Sequence, residues 1–160
     1  MSIEFIPGYD RPQEVRELFT EYTDMLVAED RKFAKYLELQ NYDQELEHLE
    51  QKYGEPGGRL YLAYVDGALA GCIALRRIDD DACELKRLYV RPAFRSRHLG
   101  RALVELDIRE ARAAGYSHIL MDTLPFLRDA IALYHKLGFY EIEPYNDSPM
   151  DDSIYMRYDL

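Results

Sequence analysis

Residues 84–103 have the sequence ELKRLYVRPAFRSRHLGRAL, and this stretch indicates the fold more strongly than any other part of the chain. Its first part is typical of a strand that ends at Pro92, since proline cannot donate to a sheet ladder. An arginine-rich turn follows, and the apolar spacing from Leu99 predicts a helix. Backbone N–H groups at a helix start have no partner inside the helix and favour an anion. The stretch therefore predicts a turn that binds phosphate or pyrophosphate, or alternatively a turn whose arginines are only solvated.

Two turns divide the residues before this stretch into strands. Asp66-Gly67 separates the apolar runs 59–65 and 68–78, and Asp-Gly is a strong hairpin signal because both turn positions need positive φ. Three aspartates at 79–81 make a second turn before a strand over 82–90. These residues therefore predict a three-stranded antiparallel meander.

The other segments alternate between helical and extended patterns. This order predicts an α+β protein in which a mixed sheet carries helices on both faces. We expect residues 1–160 to form a single domain. The predicted elements are a strand at 2–6, a helix from Pro12 with Asp10 as N-cap, a short helix within 29–53, a helix at 99–114, a strand at 116–123, a helix from Pro125 to Leu137, and strands at 139–142 and 153–160.

Charge and composition narrow the class of partner. The net charge of −10 argues against nucleic acid, whose phosphates require a basic face. No apolar run approaches the roughly 18 residues of a membrane span, and the first residues lack the pattern of a signal peptide. The spacing of Cys72 and Cys83 across the second turn predicts thiols that do not face each other and stay free. We therefore expect a cytoplasmic protein with neither a membrane nor a nucleic-acid partner.

A second informative stretch, ALYHKLGF, occupies residues 132–139 on the predicted last helix and its stop. The two stretches together resemble the acetyl-CoA signatures of the GNAT N-acetyltransferase family. The first signature has the form (Arg or Gln)-x-x-Gly-x-(Gly or Ala), and the second places a tyrosine four residues before Gly-Phe. The matching residues are Arg95, His98 and Gly100 in the first stretch, and Tyr134, Gly138 and Phe139 in the second.

The resemblance implies the GNAT (acyl-CoA N-acyltransferase) fold, with a mostly antiparallel sheet. It implies an acetyl-CoA-dependent N-acetyltransferase that acts on an amine of a small molecule or peptide. The amine would attack the thioester directly, acetyl-CoA would be the cosubstrate and no metal would be needed. The resemblance also allows a homodimer. The alternatives are a non-catalytic acyl-CoA sensor, an interaction domain that binds no CoA, and acyl transfer to a hydroxyl or from a longer acyl chain.

The resemblance also assigns residues to the cofactor. Backbone groups of β-strand residues would pair with the pantetheine arm, and N–H groups of the turn and helix start would hold the pyrophosphate. Arg95 would contact phosphate or fix the loop, and Ser96 would add a hydroxyl. The pantetheine residues are Leu88, Tyr89 and Val90, and the pyrophosphate residues are Arg97, His98, Leu99, Gly100 and Arg101.

Acetyl transfer to an amine needs a neutral nucleophile and benefits from a proton on the departing thiolate. Glu84 lies six residues before Val90, where several family members place a glutamate base. Its other interpretation is a strand carboxylate paired with Arg76, Arg87 or another cation. Tyr134 stands where the family commonly places the acid, and its other interpretation is core packing.

The chain departs from the family pattern at three positions. His98 replaces the fourth-place Gly, Ser96 replaces a Gly often found after the Arg, and Leu127 replaces an Asn that often contacts the cofactor. If residue 98 keeps right-handed helical dihedrals, its N–H can still donate. The acceptor pocket can be placed only by its position in the fold; the residues expected there are Tyr36, Gln40, Tyr42, Tyr145, Asn146 and Asp147.

Overall fold

The computed structural model describes residues 1–39, 41–148 and 150–160, without the side chain of Leu39. Across these residues seven strands form one sheet: β1 (Ile3–Pro7), β2 (Arg59–Val65), β3 (Ala68–Arg77), β4 (Ala82–Val90), β5 (His118–Thr123), β6 (Tyr140–Ile142) and β7 (Ile154–Asp159). Their spatial order is β1-β2-β3-β4-β5-β7-β6. Within the described ranges every neighbouring pair is antiparallel except β4 and β5. The predicted mixed, mostly antiparallel α+β sheet is confirmed.

Helices cover both faces of the sheet, as predicted. The first face carries the helices before β2, whose buried residues Val15, Leu18 and Phe19 pack on the strands. The second face carries the later helices, which pack on the other side of the same strands. No helix within the described ranges is both long and apolar enough to cross a membrane. The helices are α1 (Pro12–Glu29), α2 (Lys32–Leu39), α3 (Tyr42–Glu47), α4 (Leu49–Tyr53), α5 (Leu99–Ala113) and α6 (Arg128–Leu137).

The one short helix expected within residues 29–53 is present as α3 and α4, divided at His48, and α2 before it was not predicted. Asn41 takes a left-handed conformation with φ of 56°, which ends the helical path before α3. His48 has φ of −133° and ψ of 60° and separates α3 from α4. Helical spacing is visible in a sequence, whereas such local breaks at polar residues are not.

One predicted N-cap and one predicted helix start are also wrong. Residues Gly8–Asp10 form a 3₁₀ turn, so Arg11 and not Asp10 is the N-cap of α1, although Pro12 lies in the first turn as predicted. The last helix begins at Arg128 and not at Pro125. The N–H of Leu127 donates to the carbonyl of Leu124 at 3.0 Å, and this turn uses the residues that were expected to start the helix.

The two predicted hairpin turns are confirmed. Asp66 and Gly67 have φ of 50° and 84°, the positive values that the turn requires. In the second turn the Asp79 carboxylate accepts hydrogen bonds from the N–H groups of Asp81 and Ala82. The pairing places Cys72 opposite Tyr89 and Cys83 opposite Arg77, so the two cysteines are free and buried, as predicted.

Asp107 is an acidic residue on the core face of α5. Its exposed fraction is 0%, and neither carboxylate oxygen has a hydrogen-bond partner among the described residues. Burial, with a contribution from Glu110, raises the pKa of Asp107 well above its usual value. The folded protein therefore keeps this carboxyl neutral at pH values where the unfolded chain releases the proton. The burial of Asp107 is not visible in the sequence, because aspartate normally marks a surface position.

Replacing Asp107 by asparagine is expected to stabilise the protein increasingly as the pH rises above about 4. The unfolded chain loses the Asp107 proton near that pH while the folded protein keeps it. The wild type therefore loses up to about 1.4 kcal/mol of stability per pH unit relative to the variant. Urea unfolding at several pH values measures this difference. Asp151→Asn, at an exposed turn, is the control, and parallel pH curves for Asp107→Asn and the wild type would contradict the prediction.

Candidate active site

A slot lies between β4 and β5, where the parallel pair separates. The two strands pair only through Ala82, Cys83 and Glu84, opposite His118, Ile119 and Leu120. Beyond these residues β4 continues to Val90 and β5 to Thr123, with no further pairing between them in the described part of the chain. Arg87 has φ of 62° and forms a bulge in β4. The slot therefore exposes one edge of residues 85–90, which include the predicted pantetheine residues Leu88, Tyr89 and Val90.

The basic turn lies at the end of this slot and leads into α5. The Arg95 guanidinium donates to the carbonyl of Val90 at 3.0 Å, so this side chain fixes the loop. Arg97 and Arg101 are exposed, and Arg101 pairs with Glu105 at 3.1 Å. The N–H of Ala102 donates to the His98 carbonyl at 3.1 Å and closes the first helical turn. The N–H groups of the preceding helix-start residues, including Leu99 and Gly100, have no acceptor in the helix.

Ser96 and His98, the two positions where family members commonly have glycine, are left-handed. Their φ values are 65° and 59°, a region that glycine enters without steric cost. The condition that residue 98 keeps right-handed helical dihedrals is therefore not met, and His98 is instead the N-cap of α5, with no side-chain capping bond. The turn keeps a backbone that suits glycine although both residues have side chains.

Replacing His98 by glycine is expected to raise the free energy of unfolding by about 1 kcal/mol. A residue with a Cβ pays roughly 1–2 kcal/mol in the left-handed region, and the extra freedom of glycine in the unfolded chain offsets part of the gain. Chemical denaturation measures the change. His98→Ala removes the imidazole but keeps the Cβ, so its stability should stay near that of the wild type. Equal stability of the glycine and alanine variants would contradict the prediction.

Glu84 lies at the closed end of the slot, where it is buried with an exposed fraction of 4%. Its carboxylate accepts from Arg76 Nε at 3.1 Å and from the Tyr145 hydroxyl at 2.6 Å, and Lys86 Nζ lies 3.7 Å away. Burial alone raises the pKa of Glu84, but Lys86, Arg76 and Tyr145 together hold it below its usual value. Glu84 is therefore ionised at neutral pH, and its ion-pair partners are Arg76 and Lys86, whereas Arg87 pairs elsewhere.

Tyr134 projects from α6 into the core, with an exposed fraction of 4% and its ring 5.4 Å from that of Phe139. Among the described residues its hydroxyl has no hydrogen-bond partner. Burial, with smaller contributions from Tyr22 and Asp107, raises the pKa of Tyr134 well above its usual value. The hydroxyl therefore keeps its proton at neutral pH.

Part of the predicted acceptor pocket converges on Asp122 of β5. This carboxylate accepts from the Tyr36 hydroxyl at 2.6 Å and from Asn146 Nδ2 at 3.0 Å. Tyr145 reaches Glu84 instead, as described above. Asp122 was not among the residues predicted for the acceptor pocket. Its position as a carboxylate inside a predicted strand was the signal that could have identified it.

The other expected pocket residues are separate from this cluster. The Tyr42 hydroxyl accepts from Thr23 at 3.3 Å, and its ring lies under Arg87. Asp147 is exposed. Gln40 lies outside the described residues. Leu127, at the place of the family Asn, packs in an apolar cluster with Leu26 and Phe33. No group of three or more His, Cys, Asp or Glu side chains suited to a metal ion occurs within residues 1–39, 41–148 and 150–160.

Most of this chain matches a known protein family. A sequence profile of the Acetyltransferase (GNAT) family matches residues 13–139. The chain belongs to the GNAT family. An uncharacterized N-acetyltransferase of Schizosaccharomyces pombe is 40% identical over 139 residues, which cover 85% of each chain.

Solved acetyltransferase structures agree with the fold. An acetyltransferase from Streptococcus agalactiae superposes with a TM-score of 0.79 and 25% identity, over 99% of this chain and 98% of that one. The PaiA N-acetyltransferase from Thermoplasma acidophilum, solved in complex with coenzyme A, superposes with a TM-score of 0.74 and 18% identity over 100% of both chains. The protein is therefore a GNAT N-acetyltransferase with the fold that the sequence predicted.

Proposed function

We propose that this GNAT protein transfers the acetyl group of acetyl-CoA to an amine of a small molecule or peptide by direct attack on the thioester. The observation that supports it most is the slot between β4 and β5, which ends at the basic turn and the start of α5. The edge of Leu88, Tyr89 and Val90 offers backbone groups along an extended arm, as an added strand would use them.

The cofactor fits the charge and conformation of the turn. N–H groups from Arg97 to Arg101 would hold the pyrophosphate, because the helix dipole and the exposed arginines favour an anion there. Ser96, exposed beside them, would add its hydroxyl. Arg95 would act through the loop, which its bond to Val90 fixes. When bound, acetyl-CoA supplies the acetyl group as an activated thioester.

Glu84 and Tyr134 would move the protons. A primary amine with a pKa near 10 is almost entirely protonated at neutral pH, so attack requires a base. Glu84, ionised by Arg76 and Lys86, would accept the amine proton at its carboxylate, directly or through a water molecule. Tyr134 would hold its hydroxyl proton for the departing sulfur, which suits a buried phenol without another acceptor.

Calorimetric titration with acetyl-CoA tests the proposed site. The Arg97→Glu, Arg101→Glu variant is expected to bind at least about tenfold more weakly than the wild type, because it places carboxylates where phosphates should lie. The matched control is Arg109→Glu, Arg112→Glu, which makes the same charge change at exposed positions later in α5 and should bind normally. Thiol release with a panel of amines then tests transfer.

A folded wild type that binds no acetyl-CoA would contradict the proposal and favour the interaction domain. Binding without thiol release from any amine would favour the acyl-CoA sensor. The homodimer, the cytoplasmic location and the single domain over residues 1–160 stay predictions from the sequence.

A further inference from the structure

Two buried carboxylates on the α1–α4 face of the sheet each face two cations. Glu45 of α3 accepts from Lys52 Nζ at 2.6 Å and from Arg87 Nε at 2.8 Å. Glu84 has Arg76 and Lys86 at 3.1 and 3.7 Å. Four basic side chains thus surround two carboxylates, an excess of two positive charges when Lys86 is protonated. If Asp122 across the slot is included, an excess of one remains in that state.

This excess stands out because the whole chain has a net charge of −10. Buried charge is costly unless a counter-charge compensates it. The acidic exterior attracts cations, but the interior beside Glu84 has the opposite balance. The local charge therefore favours an anionic group on the acceptor, and it disfavours a polyamine, which would add to the surplus.

The excess of positive charge affects Lys86 most clearly. Its side chain is only 10% exposed, and its ammonium makes no hydrogen bond among the described residues. Burial, followed by the nearby Arg87 guanidinium, lowers the pKa of Lys86 to about 7. Asp122 and Glu84 oppose that shift and Lys52 adds to it. The Lys86 ammonium therefore lacks a hydrogen-bond acceptor in the part of the chain that the structure describes. An additional anion nearby would compensate its charge.

A cavity of about 510 Å³ adjoins the same network. Its walls include three cations, Lys52, Arg76 and Arg77, and one carboxylate, Glu45. Arg76 uses its Nε for Glu84, and its other donors have no hydrogen-bond partner in the described part of the chain. Cavities that bind small molecules commonly have about 300–1,000 Å³. The cavity thus has the volume and the charge for an anionic small molecule, and Arg76 joins it to the proposed base.

We propose that the acceptor carries a carboxylate near its reactive amine, as an amino acid does, and that the cavity lined by Lys52, Arg76 and Arg77 holds that carboxylate. The amine then lies toward Glu84, on the other side of Arg76. This inference rests on the proposed function, because it names the class of amine that the same site acetylates.

Matched acceptors test the inference on the wild-type protein. A panel of L-amino acids is compared with the corresponding carboxamides, and kcat/KM is measured by thiol release from acetyl-CoA. The carboxamide has the less basic amine, so a larger share is neutral and amine reactivity alone favours it. A kcat/KM at least about tenfold higher for the amino acid therefore supports a carboxylate site. Equal values, or a preference for the carboxamide, overturn it.

The outcomes separate the two proposals. If amines without a carboxylate react while no amino acid does, the acceptor inference fails and the acetyltransferase function stands. If no amine releases thiol although acetyl-CoA binds, the proposed function fails, and the acceptor inference fails with it.

Charge reversal at the cavity wall gives a second test. Arg77 is half exposed and pairs with the exposed Asp80, so Arg77→Glu should fold normally, which circular dichroism checks. The preference for amino acid over carboxamide should fall about tenfold, mainly through KM for the amino acid. Lys136→Glu makes the same charge change on the exposed side of α6 and should keep the preference. An unchanged preference in Arg77→Glu argues against the cavity as the carboxylate site.

Discussion

Replacing Tyr134 by phenylalanine is expected to lower kcat about a hundredfold, because a positioned proton donor typically contributes 10²–10⁴ to the rate. The hydroxyl is the only group removed, and the ring keeps its contact with Phe139. Burial raises the pKa of Tyr134, so the phenol is protonated at neutral pH. Steady-state kinetics with a reactive amine measures kcat, and calorimetry measures acetyl-CoA binding, which should stay near the wild-type value.

Tyr140→Phe provides the matched control for this substitution. Tyr140 is 43% exposed, and its hydroxyl donates to Asp159 at 2.8 Å, away from the slot. Its variant should keep the full kcat. A Tyr134→Phe protein with unchanged kcat would show that the tyrosine serves only core packing. Equal losses of kcat in both variants would point to a general effect of removing a hydroxyl.

Replacing Glu45 by glutamine is expected to destabilise the protein by about 3–5 kcal/mol, because it removes the carboxylate that faces the buried Arg87 guanidinium. Both side chains are almost fully buried, and two guanidinium nitrogens of Arg87 lie 2.8 Å from the two Glu45 oxygens. Urea unfolding measures the loss. Glu47→Gln, at an exposed position of the same helix, should change stability by less than about 0.5 kcal/mol.

The same ion pair predicts how acid destabilises the protein. Burial by itself raises the pKa of Glu45, but Arg87 and Lys52 outweigh it and lower the pKa from 4.5 to about 2. The stabilisation is present above the unfolded value near 4.5 and is lost as the pH falls toward 2. Its size is about 3 kcal/mol over that window. A Glu45→Gln variant should lack this part of the acid dependence, and identical acid profiles would refute the assignment.

Local sequence signals predicted the parts of the fold that depend on local contacts. Asp66-Gly67 formed its turn, and the spacing from Leu99 gave α5, because neighbouring residues determine both. The Glu45–Arg87 pair joins residues 42 positions apart, and no local pattern indicates it. The buried Asp107 and the left-handed His98 go against the usual preference of their residue types, so sequence statistics point away from them.

In the candidate site, too, local sequence signals predicted some features, whereas others depend on contacts between distant residues. The signature stretches located the turn and the start of α5, and they placed Tyr134 on the last helix. The partners of Glu84 depend on which strands become neighbours and on the distant loop that carries Tyr145. The positions of Lys86 and Asp122 at the site follow from the packing of β4 beside β5, which no local signal in the sequence indicates.

The short parallel ladder between β4 and β5 has a mechanical consequence. Three residue pairs join the two parts of the sheet, β1–β4 and β5–β7, and α5 packs on strands of both parts. A molecule lying in the slot would contact both parts of the sheet and would therefore couple their local unfolding. Amide protons along residues 85–90 and 121–123 would then exchange more slowly in the bound protein than in the free protein. Both parts of the sheet would open locally as one cooperative unit.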